Sequence, residues 1–253
     1  MNKIKVKTDE SLFLLYAFLL SQKQLRGHID DYYLKRLTYN HFKDYKTNFK
    51  SQMHHYHYVY LVLMLNKFPS FTLNKELIKN IPNNNVNTFN KSKYILKYLK
   101  DFYNNTDFEN FYIEILSDYK KECDFISNIF KNYNISKVLD DFFKVQSIKQ
   151  VIYPMPLEGM NSGLGPMIND TSYAIIGPPF SISKINLIIH EACHARAKKI
   201  LEPLRSKINE KKYLFEDIKN HKNYCKNYSN WHIYFEEHLV RVIHIAFIQN
   251  LLI

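Results

Sequence analysis

An α+β fold, predominantly helical with one small sheet, is the architecture that this 253-residue sequence predicts. Two observations carry that expectation. Apolar residues recur at helical spacing through most of residues 1–147, whereas residues 148–176 read as short strand-like runs. Four of the five glycines then lie between 159 and 177 and frame those runs with turns. The expected organisation is a single domain over 1–253. A helical N-terminal part spans 1–147, and 148–253 holds the small sheet and the helices that follow it.

The elements follow in order. Residues 2–6 alternate as a short strand, and Asp9 or Ser11 can cap an apolar helix running to Leu20. Residues 32–45 are amphipathic, with Tyr33, Leu34, Leu37 and Phe42 near one face. A buried helix is expected over 58–65, with breaks at Pro69 and along the Pro82 to Val86 asparagine run. Helices are expected over 94–103, 108–133 and 135–145. Strands are expected over 148–153 and 173–176, and a helix capped by Ser181 or Ser183 comes next. A last helix is expected over 231–251.

Composition removes several function classes. Lys and Arg number 35 against 24 Asp and Glu, a formal net charge of +11. The lysines are spread along the chain without an RNP, helix-turn-helix or zinc-finger pattern, so nucleic acid is not the expected partner. No P-loop or Gly-x-Ser-x-Gly is present. Asp140-Asp141 and Glu236-Glu237 are adjacent rather than opposed, which leaves glycosidase chemistry without support. No run of 18 apolar residues exists, so no membrane span is expected. The N-terminus lacks a clear signal peptide, and Cys123, Cys193 and Cys225 form no disulfide framework. A cytoplasmic location is the expectation, or secretion if the chain is a mature form.

Chemistry concentrates at His190-Glu191-Ala192-Cys193-His194, an H-E-x-x-H motif. On a helix, residues i and i+4 share a face, so both imidazoles can reach one Zn²⁺ while Glu191 serves as general base on the water it activates. Arg196 departs from the apolar residue the extended motif prefers. Cys193 faces away from the ligand pair and reads as a packing residue. A catalytic zinc takes a third protein ligand, and no metzincin continuation supplies it. The last helix offers Glu236, Glu237, His232, His238 and His244. Glu237 shares a face with Tyr234, Arg241 and His244 and is the favoured ligand, whereas Glu236, 100° away, reads as solvated or structural. Arg241 can pair with Glu237 at i, i+4. His54, His55 and His57 read as the start of a helix packed among tyrosines, with a second metal site as the rarer reading.

Four segments resemble the DUF4932 family of gluzincin-type zinc metallopeptidases. They are the opening Ile4 to Leu12, the Gly/Pro-framed stretch ending Tyr173 to Pro178, the H-E-x-x-H, and Tyr234 to Arg241. The resemblance implies a zincin-like fold with the small sheet before the active-site helix. It implies His190, His194 and Glu237 as ligands of one zinc per chain, and Glu191 as base. Hydrolysis of a peptide or protein substrate would follow, with Tyr234 as candidate oxyanion donor and Arg241 or His244 as alternatives. The same ligand set accepts Co²⁺ or Mn²⁺. The competing expectation is a non-catalytic basic helical protein, zinc-containing or metal-free, that binds a partner.

Overall fold

The computed structural model describes residues 4–251 except 26, 52, 67, 82, 132–134, 146–147, 182–183 and 220–229. It is mostly helical with one small mixed sheet, an α+β architecture. No helix among the described residues is long and apolar enough to cross a membrane.

Strand β1, Ile4–Val6, leads into α1, Glu10–Ser21. Asp9 provides the cap, its Oδ1 accepting from the Leu12 amide at 3.0 Å. Helix α1 is apolar around its circumference, and Leu12 through Ser21 are all buried. A helix of that kind belongs at the centre of a core rather than on its surface. Around it pack α2, Tyr33–Phe42, α3, His55–Val62, and α6, Ile95–Asn105. The short α4, Lys75–Ile78, was not expected from sequence, nor was α5, Asn83–Ser92, which lies where the asparagine run reads as a break. Asparagine disfavours a helix interior but not its first turn, and buried Phe89 and Ser92 anchor the remainder. Pro82 lies outside the described residues. Helix α3 starts and ends three residues before the expected bounds.

Helix α7, Phe108–Lys131, spans from this helical layer to the sheet, and α8, Ile135–Phe143, follows. The sheet comprises β1, then β2, Lys149–Pro154, β3, Gly163–Leu164, β4, Met167–Ile168, and β5, Thr171–Ile176. Its order is β1-β2-β5-β3, with β4 also on β5. The first three strands are parallel, so the sheet joins the N-terminal strand to the C-terminal part of the chain. Strands β3 and β4 pair antiparallel to β5 in one unbroken register, Gly163 opposite Ile176 through Ile168 opposite Thr171. They are one edge strand interrupted at Gly165-Pro166. The sequence reading treats this glycine-rich stretch as turns, because glycine and proline are poor strand formers.

The loop from β2 to β3 crosses the end of β5. Met155 donates to the Ile176 carbonyl at 2.7 Å, and Gly177 donates to the Ser162 carbonyl at 3.0 Å. A Cβ on Gly177 would meet the Gly159 carbonyl oxygen at 2.1 Å, so only glycine fits beneath this crossing.

One sheet face, with Tyr153 and Ile175, packs on the core around α1. The other, with Ile152, Ala174 and Ile176, packs on α9, Lys184–Leu201. The expected cap Ser183 lies outside the described residues. Two short helices not expected from sequence, α10, Arg205–Glu210, and α11, Tyr213–Lys219, lead to α12, Trp231–Leu251, which packs along α9 with the expected bounds. Cys123 and Cys193 are buried free thiols, and Cys225 lies outside the described residues.

Candidate metal centre

Helix α9 carries the H-E-x-x-H and is held from both sides. Its Ile188, Ile189, Ala192, Cys193 and Ala197 are buried against the sheet and α8. Arg196 is fully buried and explains its own departure from the motif. Its Nε and Nη2 donate to Asp140 of α8 at 2.9 and 2.7 Å, and its Nη1 donates to the Ala192 carbonyl at 2.9 Å. The guanidinium is neutralised in place and fastens α9 to α8.

The opposite face of α9 meets α12. His190 and His194 point their Nε2 atoms at one another, 3.2 Å apart. Glu237 closes the triangle, with Oε1 at 3.5 Å from His190 Nε2 and Oε2 at 3.3 Å from His194 Nε2. A tetrahedral zinc with bonds of about 2.0–2.1 Å has ligand–ligand edges of about 3.3–3.4 Å. The three side chains therefore converge at about that spacing, with Glu237 turning a different oxygen to each histidine, and two nitrogens with one carboxylate suit zinc chemically. Among the described residues this is the one His/Cys/Asp/Glu group with ligand spacing. The His54, His55 and His57 cluster does not gather into another.

Charge within the centre is mutually reinforcing. Burial opposes a charge on His194, yet its bonds to Glu236 and Glu237 raise its pKa to about 9. The bonds from His190 and then His194 hold the Glu237 carboxyl well below the usual carboxylate range. The pair is thus held as imidazolium and carboxylate, each favouring the charge on the other.

Glu236 has a role that helical arithmetic hides. It lies 100° from Glu237, but an imidazole presents nitrogens on two sides of its ring. His194 meets Glu237 through Nε2 and donates from Nδ1 to Glu236 at 2.9 Å. Adjacent carboxylates thus flank one histidine, Glu237 at the triad and Glu236 behind it, where it fixes the tautomer. Arg241 donates from Nε to Glu237 Oε1 at 3.0 Å, as its i, i+4 spacing predicts.

Glu191 is buried between α9 and the edge strand, 8% exposed, and among the described residues no hydrogen-bond donor reaches it. Burial raises its pKa, while the two histidines oppose the shift. A Cβ on Gly165 would lie 2.1 Å from Glu191 Oε2, and one on Gly163 would lie 3.2 Å from Oε1. These glycines exist so that the edge strand can pass directly over the carboxylate.

Beside the triad, Asn186, Leu187, His190, Glu237, Arg241 and His244 line a cleft of about 450 Å³. Arg241 and His244 therefore stand where the sequence reading places alternatives to Tyr234. The Tyr234 ring instead stacks on His238 at 3.9 Å and packs on Phe215 and Trp231. It is not among the side chains lining the cleft. Compared with family models, curated proteins and solved structures, the chain matches none, so the reading of this centre stands on its own residues.

Proposed function

We propose that this chain is a zinc-dependent peptidase of zincin-like, gluzincin type, with one zinc per chain held by His190, His194 and Glu237. The observation that carries the reading is the convergence of two imidazole nitrogens, 3.2 Å apart, on the two oxygens of Glu237 at 3.3 and 3.5 Å, with a buried carboxylate beside them. The DUF4932 resemblance belongs to the same reading. When bound, zinc polarises a carbonyl and acidifies a water molecule.

The chain's own groups supply the rest. The ladder alternates along the edge strand. Pro166 accepts from Tyr173 and Ser162 accepts from Gly177, which turns the backbone of Gly163, Gly165 and Met167 outward. An extended peptide can add there as a further antiparallel strand, passing over Glu191 and the triad. Glu191 takes the proton of the attacking water and passes it to the leaving amine. Its raised proton affinity suits the first step, and its burial excludes competing water. Glu236 and Arg241 keep His194 and Glu237 oriented, through bonds of 2.9 and 3.0 Å.

Elemental analysis of protein purified without a metal-affinity tag tests this. The expected result is one zinc per chain in wild type and its loss in both His194→Ala and Glu237→Ala. Zinc retained by Glu237→Ala would move the third ligand elsewhere on α12. Wild type that takes up no metal when zinc is offered would end the peptidase reading and leave a non-catalytic binding protein.

A further inference from the structure

The tyrosine- and histidine-rich first turn of α3 has a part in the site that its place in the sequence hides. His54 is the cap, its Nδ1 accepting from the Tyr56 amide at 3.2 Å. His55 turns into the core, where its Nε2 meets Glu158 Oε2 at 3.1 Å. Glu158 is saturated. Oε2 also accepts from Tyr16 at 2.5 Å, while Oε1 accepts from the Gly159 amide at 2.7 Å and the Ser162 hydroxyl at 3.0 Å. This carboxylate binds α1, α3 and the loop entering β3 into one unit. It therefore sets where the start of α3 stands relative to the edge strand.

With His55 committed to the core, Tyr56 is turned about 100° away around the helix. It lines a groove of about 900 Å³ whose other walls include Met167 and Asn169 of the edge hairpin and Lys198 of α9. Lys198 lies one turn beyond His194, and its Nζ is 4.0 Å from Glu236 Oε1, so this groove runs up to the ligand-bearing face of α9. The Tyr56 hydroxyl is pushed up to about 12, by burial first, then by Tyr60 and by the negative charge of Glu191 and Glu236. It stays protonated at any physiological pH. Glu236 meets His194 at 2.9 Å, so the groove that Tyr56 lines reaches the centre through Lys198 and Glu236.

We propose that Tyr56 is the hydrogen-bond donor to the substrate's scissile carbonyl oxygen, contributed by the helical half of the chain across the groove from Lys198 of α9. No proton leaves the phenol. The hydroxyl donates more strongly as negative charge builds on that oxygen, which is the requirement for selective stabilisation of the transition state. The assignment rests on the zinc-peptidase reading and extends it to a residue far from the motif.

The test uses the full chain loaded with Co²⁺, with acetohydroxamate as the probe and its binding followed through the visible cobalt bands. Tyr56→Phe keeps the ring and removes only the hydroxyl. The expected result is one metal per chain and an unchanged Tm in the variant, with hydroxamate affinity weakened about 10- to 100-fold, the range for a hydrogen bond to a charged group. A metal-loaded Tyr56→Phe protein that binds hydroxamate like wild type would overturn the proposal and leave the zinc site standing. Wild type that takes up no cobalt would overturn the peptidase reading, and this assignment with it.

Discussion

Glu158 and Glu191 are both buried carboxylates, 2% and 8% exposed, and burial has opposite consequences for them. Glu158, in the crossing loop, receives four donors, one for each of its lone-pair directions. Burial alone would raise its pKa, yet His55, Tyr16 and the Gly159 amide lower it to about 2. Glu191, on α9, receives none of this and is raised. Both carboxylates lie deep, and the donors that meet Glu158 are what separates the two in proton affinity. The first arrangement makes a structural anion, and the second leaves a carboxylate with raised proton affinity.

The same substitution at both positions sharpens the contrast. Glu191→Gln should lower kcat by about 10²- to 10⁴-fold, the usual weight of a general base, while zinc content stays at one and Tm does not fall. Peptide-cleavage kinetics beside metal analysis read this out, and a variant that loses its zinc would make Glu191 a structural group like Glu158. Glu158→Gln should do the reverse. It turns an amide toward groups that donate and should cost roughly 3–5 kcal/mol of unfolding free energy by urea titration.

Acid titration separates the pair further. The folded pKa of Glu158, about 2, lies below its ordinary 4.5, so its contribution to stability is complete above 4.5 and is lost as pH falls toward 2. In Glu158→Gln that part of the acid limb should flatten, and a limb identical to wild type would remove Glu158 from the account. The smallest expected effect concerns the neighbour of the triad. Glu236→Ala should weaken zinc binding about 10- to 100-fold in a competition titration with a chelator, without abolishing it.

What the sequence discloses of this arrangement depends on chain distance. Helix α12 was legible at both ends, and α9 in its existence and its start near Ser183, because apolar periodicity and an i, i+4 histidine pair are local signals. Helix α1 was legible for the same reason, down to its Asp9 cap. Glu237 was reachable through the face it shares with Arg241. Glu236 reads as solvated or structural, and its bond to His194 stayed hidden because helical phase describes where a side chain leaves the backbone, not which side of a partner's ring it meets. The place of Tyr56 on a groove shared with α9 could not be found, since nothing local ties α3 to α9. The edge strand was hidden by its glycines, which read as turns but serve the close passage over Glu191. The start of α5 was obscured by the asparagine run, whose tolerance at a helix's first turn outweighed its reputation as a breaker.

The edge strand formed by β3 and β4 also bears on self-association. An unpaired row of outward amides and carbonyls is a template for aggregation, and Pro166 does not blunt it. Its missing N–H belongs on the side facing β5, as its carbonyl's bond to Tyr173 shows. Protection comes from terrain instead. The strand begins beside the cleft bounded by Asn161 and Asn186 and ends beside the groove walled by Tyr56 and Lys198. A flat sheet edge meets such uneven relief less readily than a single extended chain does, which works against growth of a fibril along this edge.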